Sequence, residues 1–375
     1  KADLAHFDQT WGLPNPSLQI LQPHGPPAPY TCPDGVDDLA LESTLDVEWS
    51  HAIAPGARLT LIIGDNNTGG SPKENCVNGS LLDDVTYALD HHLGSIISIS
   101  YGGSELGLAS ETAYQHAQDA AYYRAADAVF KRAANQRVTV LASAGDEGVT
   151  NENDFTKLNS FWKHPNIGWP ASDPYVLAVG GTTLTIGDPS GTYNSEEVWN
   201  EPGYDAGGGG LSAVFPEPAY QKLLPNQAMF KDKRGIPDVS FPAEGAILYE
   251  SVFVGALGQA DKQYKHWALM GGTSLSAPCW AGLIAIANQM NQKPLGFIQP
   301  ALYSLGGAGL HDITFGDNSF GGVQGYQAQQ GYDLASGWGT PIADEFIPTL
   351  LQATFALTPG CQHRKHLCSW QPAPN

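Results

Sequence analysis

Gly271-Gly272-Thr273-Ser274-Leu275-Ser276-Ala277-Pro278 opens a run that stays largely apolar through Leu283, Ile284 and Ile286 toward Met290. Leu275, Ala277, Cys279 and Trp280 place hydrophobic or small side chains all round the helix that this run predicts. A helix of that kind belongs in a core. Proline is tolerated in the first turn, where its missing N–H has no partner within the helix. The helix is therefore expected to begin close to Ser274, with Pro278 in its first turn. The two preceding glycines let a substrate approach the backbone. The helix N-terminus offers N–H donors and positive potential to an oxyanion. Ser274 is thus well placed to be a nucleophile, although a serine at a helix start often serves only as a cap.

Working outward, residues 59–63, 95–101, 138–144 and 175–179 read as short buried strands. Residues 80–92 and 110–135 read as helices between them. Such alternation implies right-handed crossovers and an α/β fold, a central mostly parallel sheet with helices on both faces. The pattern Gly272-Thr273-Ser274-x-x-x-Pro278 resembles the signature of subtilisin-like folds at a place this reading independently favours. No repeat, coiled coil or linker splits the chain, and 207–210 is a glycine loop with core-like sequence on both sides. Residues 1–357 are expected to form one catalytic domain, with 358–375 a polar, proline-rich C-terminal tail.

A serine hydroxyl needs a base. The histidine and aspartate segments of a subtilisin are missing. His91-His92 comes nearest, but Leu93-Gly94 follows it instead of the expected pattern. Leu41-Glu42-Ser43-Thr44-Leu45-Asp46-Val47-Glu48-Trp49 offers another base. On a helix, Glu42 and Asp46 lie about 40° apart, on the face that carries Leu45 and Trp49. Half-buried, two such carboxyls conflict, one pKa rises and the pair can share a proton. Glu48 falls about 120° away and His51 on the opposite side. A solvated helix face carries the same spacing often enough. Here, however, the Glu-x-x-x-Asp helix is followed by Ala52-Ile53-Ala54-Pro55-Gly56-Ala57. The segment resembles that of the sedolisins, subtilisin-fold peptidases that use Glu and Asp in place of His and Asp.

Ser143-Ala144-Gly145-Asp146-Glu147-Gly148, at a strand end, resembles the Ser-x-Gly-Asp-x-Gly turn of that family. An ionised Asp146 could only accept hydrogen bonds and would oppose an oxyanion. A protonated one donates, which calls for acid or a raised pKa. The resemblance makes Ser274 the nucleophile, Glu42 the base, Asp46 its partner and Asp146 the oxyanion acid. It also implies that Ser100, Tyr101 and Gly102, closing a central strand, line the substrate groove with Gly145, Gly272 and Thr273. Three further blocks match the family and read as fold-defining: residues 169–182, Gly207–Gly210 with Ser212 and Phe215-Pro216, and residues 234–240.

His311-Asp312-Ile313-Thr314 and Gly331-Tyr332-Asp333 are loop segments rich in oxygen donors, which suit calcium. The resemblance implies a Ca2+ site made of the Asp312 and Asp333 carboxylates and the carbonyls of Ile313, Gln329 and Gly331. Position 329 is usually glycine in the family, and only its carbonyl is needed.

Composition agrees with acid chemistry. Of 375 residues only 15% are charged, and Asp plus Glu outnumber Lys plus Arg 38 to 18, a formal net charge of −20. That excess excludes a phosphate-binding surface, so no nucleic-acid partner is expected. No stretch is apolar enough to span a bilayer, and no membrane partner is expected. Cys361 with Cys368, and Cys32 with Cys76, could form bridges in an oxidising compartment, while Cys279 reads as a buried thiol. Asn66 and Asn78 open glycosylation triplets. No signal peptide and no prosegment of the family's kind are seen, as in a processed form.

The expectation is a monomeric, secreted or lysosome-like, acid-acting serine-carboxyl peptidase. It would cleave protein or peptide substrates after release of its own prosegment, as an endopeptidase or a tripeptidyl peptidase. Two rivals are an inactive homologue that serves as a binding module and a Ser-His-Asp hydrolase with an unrecognised histidine. Side-chain preference is not legible in the chain.

Overall fold

A computed structural model describes residues 1–25, 38–64, 81–107, 113–151, 160–254 and 262–357. Cys32, Cys76, Cys361, Cys368, Asn66, Asn78 and the 358–375 tail lie outside the described residues. Seven helices occur among the described residues: α1 (Ala2–Trp11), α2 (Asp38–Ile53), α3 (Leu81–Asp90), α4 (Ala113–Asn135), α5 (Thr273–Asn291), α6 (Gln299–Ser304) and α7 (Ala343–Leu357).

Four parallel strands lie side by side in the order Val239–Pro242, Val176–Ile186, Thr139–Ser143, Ile96–Ile99. A fifth, Tyr193–Val198, runs antiparallel to Val176–Ile186. Successive side chains of a strand point to opposite faces, and both faces are covered here. Leu141, Leu177, Val179 and Val239 pack with Trp280, Ile284 and Ala287 of α5, and with α6 and α7. Val140, Ala142, Val176 and Ala178 pack with Leu89 of α3 and Phe130 of α4. Burial on both sides explains the unbroken apolar runs that revealed these strands.

Two readings need correction. Ile96–Ile99 is the end strand of this path rather than a central one. The next parallel pair, Ser17–Leu21 with Arg58–Ile62, forms its own ladder. Pro278 is the sixth residue of α5, in its second turn. There it cannot donate to the Ser274 carbonyl, the acceptor one turn earlier. The Ser100 hydroxyl lies 3.4 Å from that carbonyl, but its one proton goes to the nearer Asp46 Oδ1, at 2.7 Å.

The contact that positions the site is the crossing of α2 and α5. A Cβ on Gly282 would stand 2.7 Å from the Cβ of Ile53 and 3.2 Å from the Ser50 carbonyl oxygen, so only glycine lets the helices come this close. Fully buried Leu45 of α2 meets Leu275 and Cys279 of α5, closed over by Ala246 and Leu248. These last two belong to the hairpin Ala246–Val254/Lys262–Met270.

Arg234 and Asp238, from the 234–240 block, form a fully buried ion pair with a 2.6 Å contact. Asp238 also accepts from the Tyr303 hydroxyl at 2.7 Å and from the Ala178 N–H at 2.8 Å. This network ties the sheet to α6, a structural role consistent with the sequence reading.

Candidate active site

Ser274 is the second residue of α5, after the Gly272 that caps the helix. Across the helix crossing, α2 presents Glu42 and Asp46. Burial is the largest influence on Glu42 and holds its carboxyl well above the usual range. The Asp46 charge adds to the rise, and the neighbouring Ser274 and Ser100 hydroxyls oppose it. Its Oε1 is buried with no hydrogen-bond partner. Burial pushes Asp46 up to about 7, against a hydrogen bond from Ser100. That bond, Ser100 Oγ to Asp46 Oδ1, is 2.7 Å long.

Asp146 approaches from the other side, at the end of strand Thr139–Ser143. Its Oδ1 accepts from both the amide and the hydroxyl of Thr273, each at 2.7 Å. Thr273 Oγ1 in turn accepts from the Gly145 N–H at 3.0 Å. The other oxygen, Oδ2, lies over Gly272, 2.6 Å from where a Cβ would be. Gly272 has φ of +119°, so both space and backbone require glycine. Burial raises the Asp146 pKa, while the Thr273 bonds lower it.

The four sequence-derived groups therefore converge. The expected groove residues follow: Ser100, Tyr101, Gly102, Gly145 and Thr273 line a cleft of ≈170 Å³ together with Ser274 and Asp146. Gly272 instead makes room for Asp146. Gly102 is held against the neighbouring segment, where a Cβ would stand 2.7 Å from the Trp169 carbonyl oxygen. Sequence reasoning missed that the Ser100 hydroxyl serves Asp46, and it did not single out Asn151, Ser104 or Gly168 on the cleft wall. Only Glu147, inside the quoted turn, carried a local signal.

Among the described residues, no histidine lines the Ser274 cleft. His51 is fully buried, with Nε2 3.1 Å from the Pro14 carbonyl oxygen and 3.4 Å from Asp8 Oδ1. His91 stacks on Tyr87 and pairs with its carbonyl. Neither lines the Ser274 cleft.

At the expected cation site, both oxygens of Asp312 accept from the Gly331 N–H, at 3.1 and 2.9 Å. Asp333 Oδ2 accepts from Gln329 N–H at 2.9 Å, and its Oδ1 accepts from Ala335 and Ser336. Both carboxyls thus bond the 329–331 turn, and oxygen donors of this kind suit a hard cation. Among the described residues, no cluster of three or more His, Cys, Asp or Glu side chains is placed to hold a metal ion. Carbonyls would have to complete the shell.

A model of the subtilase family matches residues 41–301. Kumamolisin of Bacillus sp. (strain MN-32) is 35% identical over 96% of this chain and 59% of its own length. Tripeptidyl-peptidase 1 of Rattus norvegicus is 29% identical over 83% of this chain and 52% of its own length. The chain thus spans between about half and three fifths of these curated relatives. A solved structure of Pseudomonas sedolisin, a serine-carboxyl proteinase complexed with two molecules of pseudo-iodotyrostatin, superimposes with a TM-score of 0.74 and 29% identity. The match covers 92% of this chain and 87% of that one. No helix among the described residues is long and apolar enough to cross a membrane.

Proposed function

The chain belongs to the subtilase family, in its sedolisin branch, and on that premise we propose that it is a serine-carboxyl peptidase that cleaves peptide bonds through an acyl-enzyme on Ser274. The observation that carries this reading is the packing of α2 on α5, which brings the Glu42 carboxyl near enough to the Ser274 hydroxyl to be influenced by it and sets the Ser100 hydroxyl 2.7 Å from Asp46 Oδ1 and 3.4 Å from the Ser274 carbonyl oxygen.

The working base is the Glu42–Asp46 pair holding one proton, since two charges in so buried a place repel. Glu42 takes the proton of Ser274 Oγ as oxygen attacks the peptide carbonyl. Asp46, oriented by Ser100, holds Glu42 in place. Negative charge on the former carbonyl oxygen meets the Ser274 N–H and the proton on Asp146. Since Asp146 Oδ1 is occupied by Thr273, that proton resides on Oδ2. Glu42 then gives its proton to the departing amine, and water repeats the sequence to release the acyl half. Because Asp146 must be neutral, the reaction belongs to acid solution. A secreted or lysosome-like setting would supply it, with the family's prosegment removed first.

Calcium is proposed to bind between Asp312 and Asp333, completed by the carbonyls of Ile313, Gln329 and Gly331. It would tie the 329–333 turn to the 311–313 segment and take no part in the chemistry.

Digestion of an unfolded protein at about pH 4, read by mass spectrometry, tests the activity. Ser274→Ala should abolish cleavage and Glu42→Ala should nearly do so, with the fold retained. Cleavage that survives both changes would overturn the proposal. Single cuts and tripeptides, separated in the same spectra, tell an endopeptidase from a tripeptidyl peptidase.

A further inference from the structure

The hairpin Ala246–Val254/Lys262–Met270 is a sheet of two strands. The outer edge of its first strand is taken up by α2. The Tyr249 N–H donates to Glu48 Oε2 at 3.0 Å, and the Ile247 carbonyl accepts from Trp49 Nε1 at 3.2 Å. Tyr249 and Ile247 therefore aim their backbone groups away from the second strand. In an antiparallel ladder the residues opposite such positions aim theirs outward as well. Those residues are Trp267 and Leu269. Both thus present an N–H and a C=O along the outer edge of the second strand, and among the described residues no third strand pairs there. Their side chains are uncovered too, Leu269 at 71% and Trp267 at 39% exposure, with Ile247 beside Leu269 at 40%. An edge of this kind is a template for a further strand.

We propose, resting on the peptidase reading, that this edge holds the leaving half of the substrate, the chain beyond the bond that Ser274 attacks, as an added antiparallel strand. Continuity with the site supports this. The strand runs toward the nucleophile, and Leu269 precedes Ser274 by five positions. The leaving half runs away from the nucleophile in its own N-to-C sense, so beside this strand the two chains are antiparallel. Proton delivery points the same way. The departing amine takes its proton from Glu42 on α2, and α2 packs against this hairpin through Leu45, Glu48 and Trp49. None of the residues that line the Ser274 cleft belongs to the hairpin, which leaves that cleft to the acyl half. Pairing from Leu269 back to Lys265 spans roughly 14 Å, about five residues of extended substrate. Backbone groups do not titrate, so the pairing holds in acid. It asks for an extended chain, and apolar side chains opposite Leu269 and Trp267 add contact on the exposed face.

The test is a peptide series built on one site cut in the protein digest, with a constant acyl half and leaving halves of one, three or six residues. The Ser274→Ala protein is the blank. From the shortest to the longest peptide kcat/KM should rise about tenfold or more. N-methylation scanned along the six-residue leaving half should cost about fivefold at alternate positions, where a hydrogen bond is lost, and little between them. Leu269→Pro removes one outward N–H and spares the hairpin ladder. It should lower kcat/KM about fivefold for the longest peptide and leave the shortest unchanged. No gain with length, or N-methyl losses without the two-residue period, overturns this inference and leaves the peptidase reading standing. A Ser274→Ala protein that sediments as a dimer, and as a monomer once Leu269→Pro is added, gives the edge to a second copy and also overturns it. An absence of any Ser274-dependent cut, in these peptides and in unfolded protein, overturns both.

Discussion

Asp146 Oδ1 takes both hydrogen bonds that Thr273 can give, from amide and hydroxyl, each at 2.7 Å. One oxygen is thereby committed as an acceptor, and the proton of the neutral acid goes to Oδ2, above Gly272. Burial favours that neutral form. Loss of this proton on raising the pH should end activity, because a charged Asp146 repels the oxyanion. Asp146→Asn removes the titration and keeps an N–H donor. The alkaline limb of kcat against pH should then move to higher pH in the variant. An unmoved limb would assign it to another group.

Ser100 Oγ holds Asp46 Oδ1 at 2.7 Å and draws the pKa of Asp46 downward, against burial. Ser100→Ala should let the Glu42–Asp46 pair keep its first proton to higher pH. The acid limb of kcat should shift upward, with KM changed less than kcat at the optimum. A variant that raises KM alone would make Ser100 a groove residue only.

Gly282 is the point where α2 and α5 touch. Gly282→Ala puts a methyl 2.7 Å from the Cβ of Ile53, so the helices must part by several tenths of an ångström. Overpacking of this kind costs about 1–3 kcal/mol. Differential scanning calorimetry on a Ser274→Ala background should record a lower Tm. In the active protein kcat should fall, because Glu42 and Ser274 sit on opposite sides of the displaced contact. An unchanged Tm and kcat would mean that the crossing is looser than described.

Stability should decline from acid toward neutral pH. Burial raises Asp46 to about 7 and Glu48 and Asp173 to about 8. Below about pH 4 these groups are protonated in both the folded and unfolded chains. Between about pH 4 and 8 the unfolded chain releases protons that the folded chain retains, so unfolding is favoured as pH rises. Tm of the Ser274→Ala protein, measured in steps from pH 4 to 8, should fall across this window. A Tm that climbs over the same range would contradict the assignment.

Much of the candidate site was legible because each of its chemical groups sits on a local signal. Ser274 follows two glycines at the start of an apolar helix. Glu42 and Asp46 are one helical turn apart. Asp146 ends a buried strand in a glycine-flanked turn. The strands showed themselves by continuous apolar runs, as parallel strands covered on both faces must. The Pro278 reading missed because α5 begins at Thr273, which puts the proline at its sixth residue, beyond the first turn.

From the residues alone came α2 to α5, four of the parallel strands and four candidate chemical groups, since periodicity and turn chemistry act over a few neighbours. Tertiary packing alone decided that α2 meets α5 at Gly282, that Ser100 serves Asp46, that Ile96–Ile99 ends its sheet path, and that Asn151 lines the cleft. Each of these joins segments tens to hundreds of residues apart. Such meetings are set by how close two surfaces can come and which buried oxygens then need partners, and no local pattern carries that information.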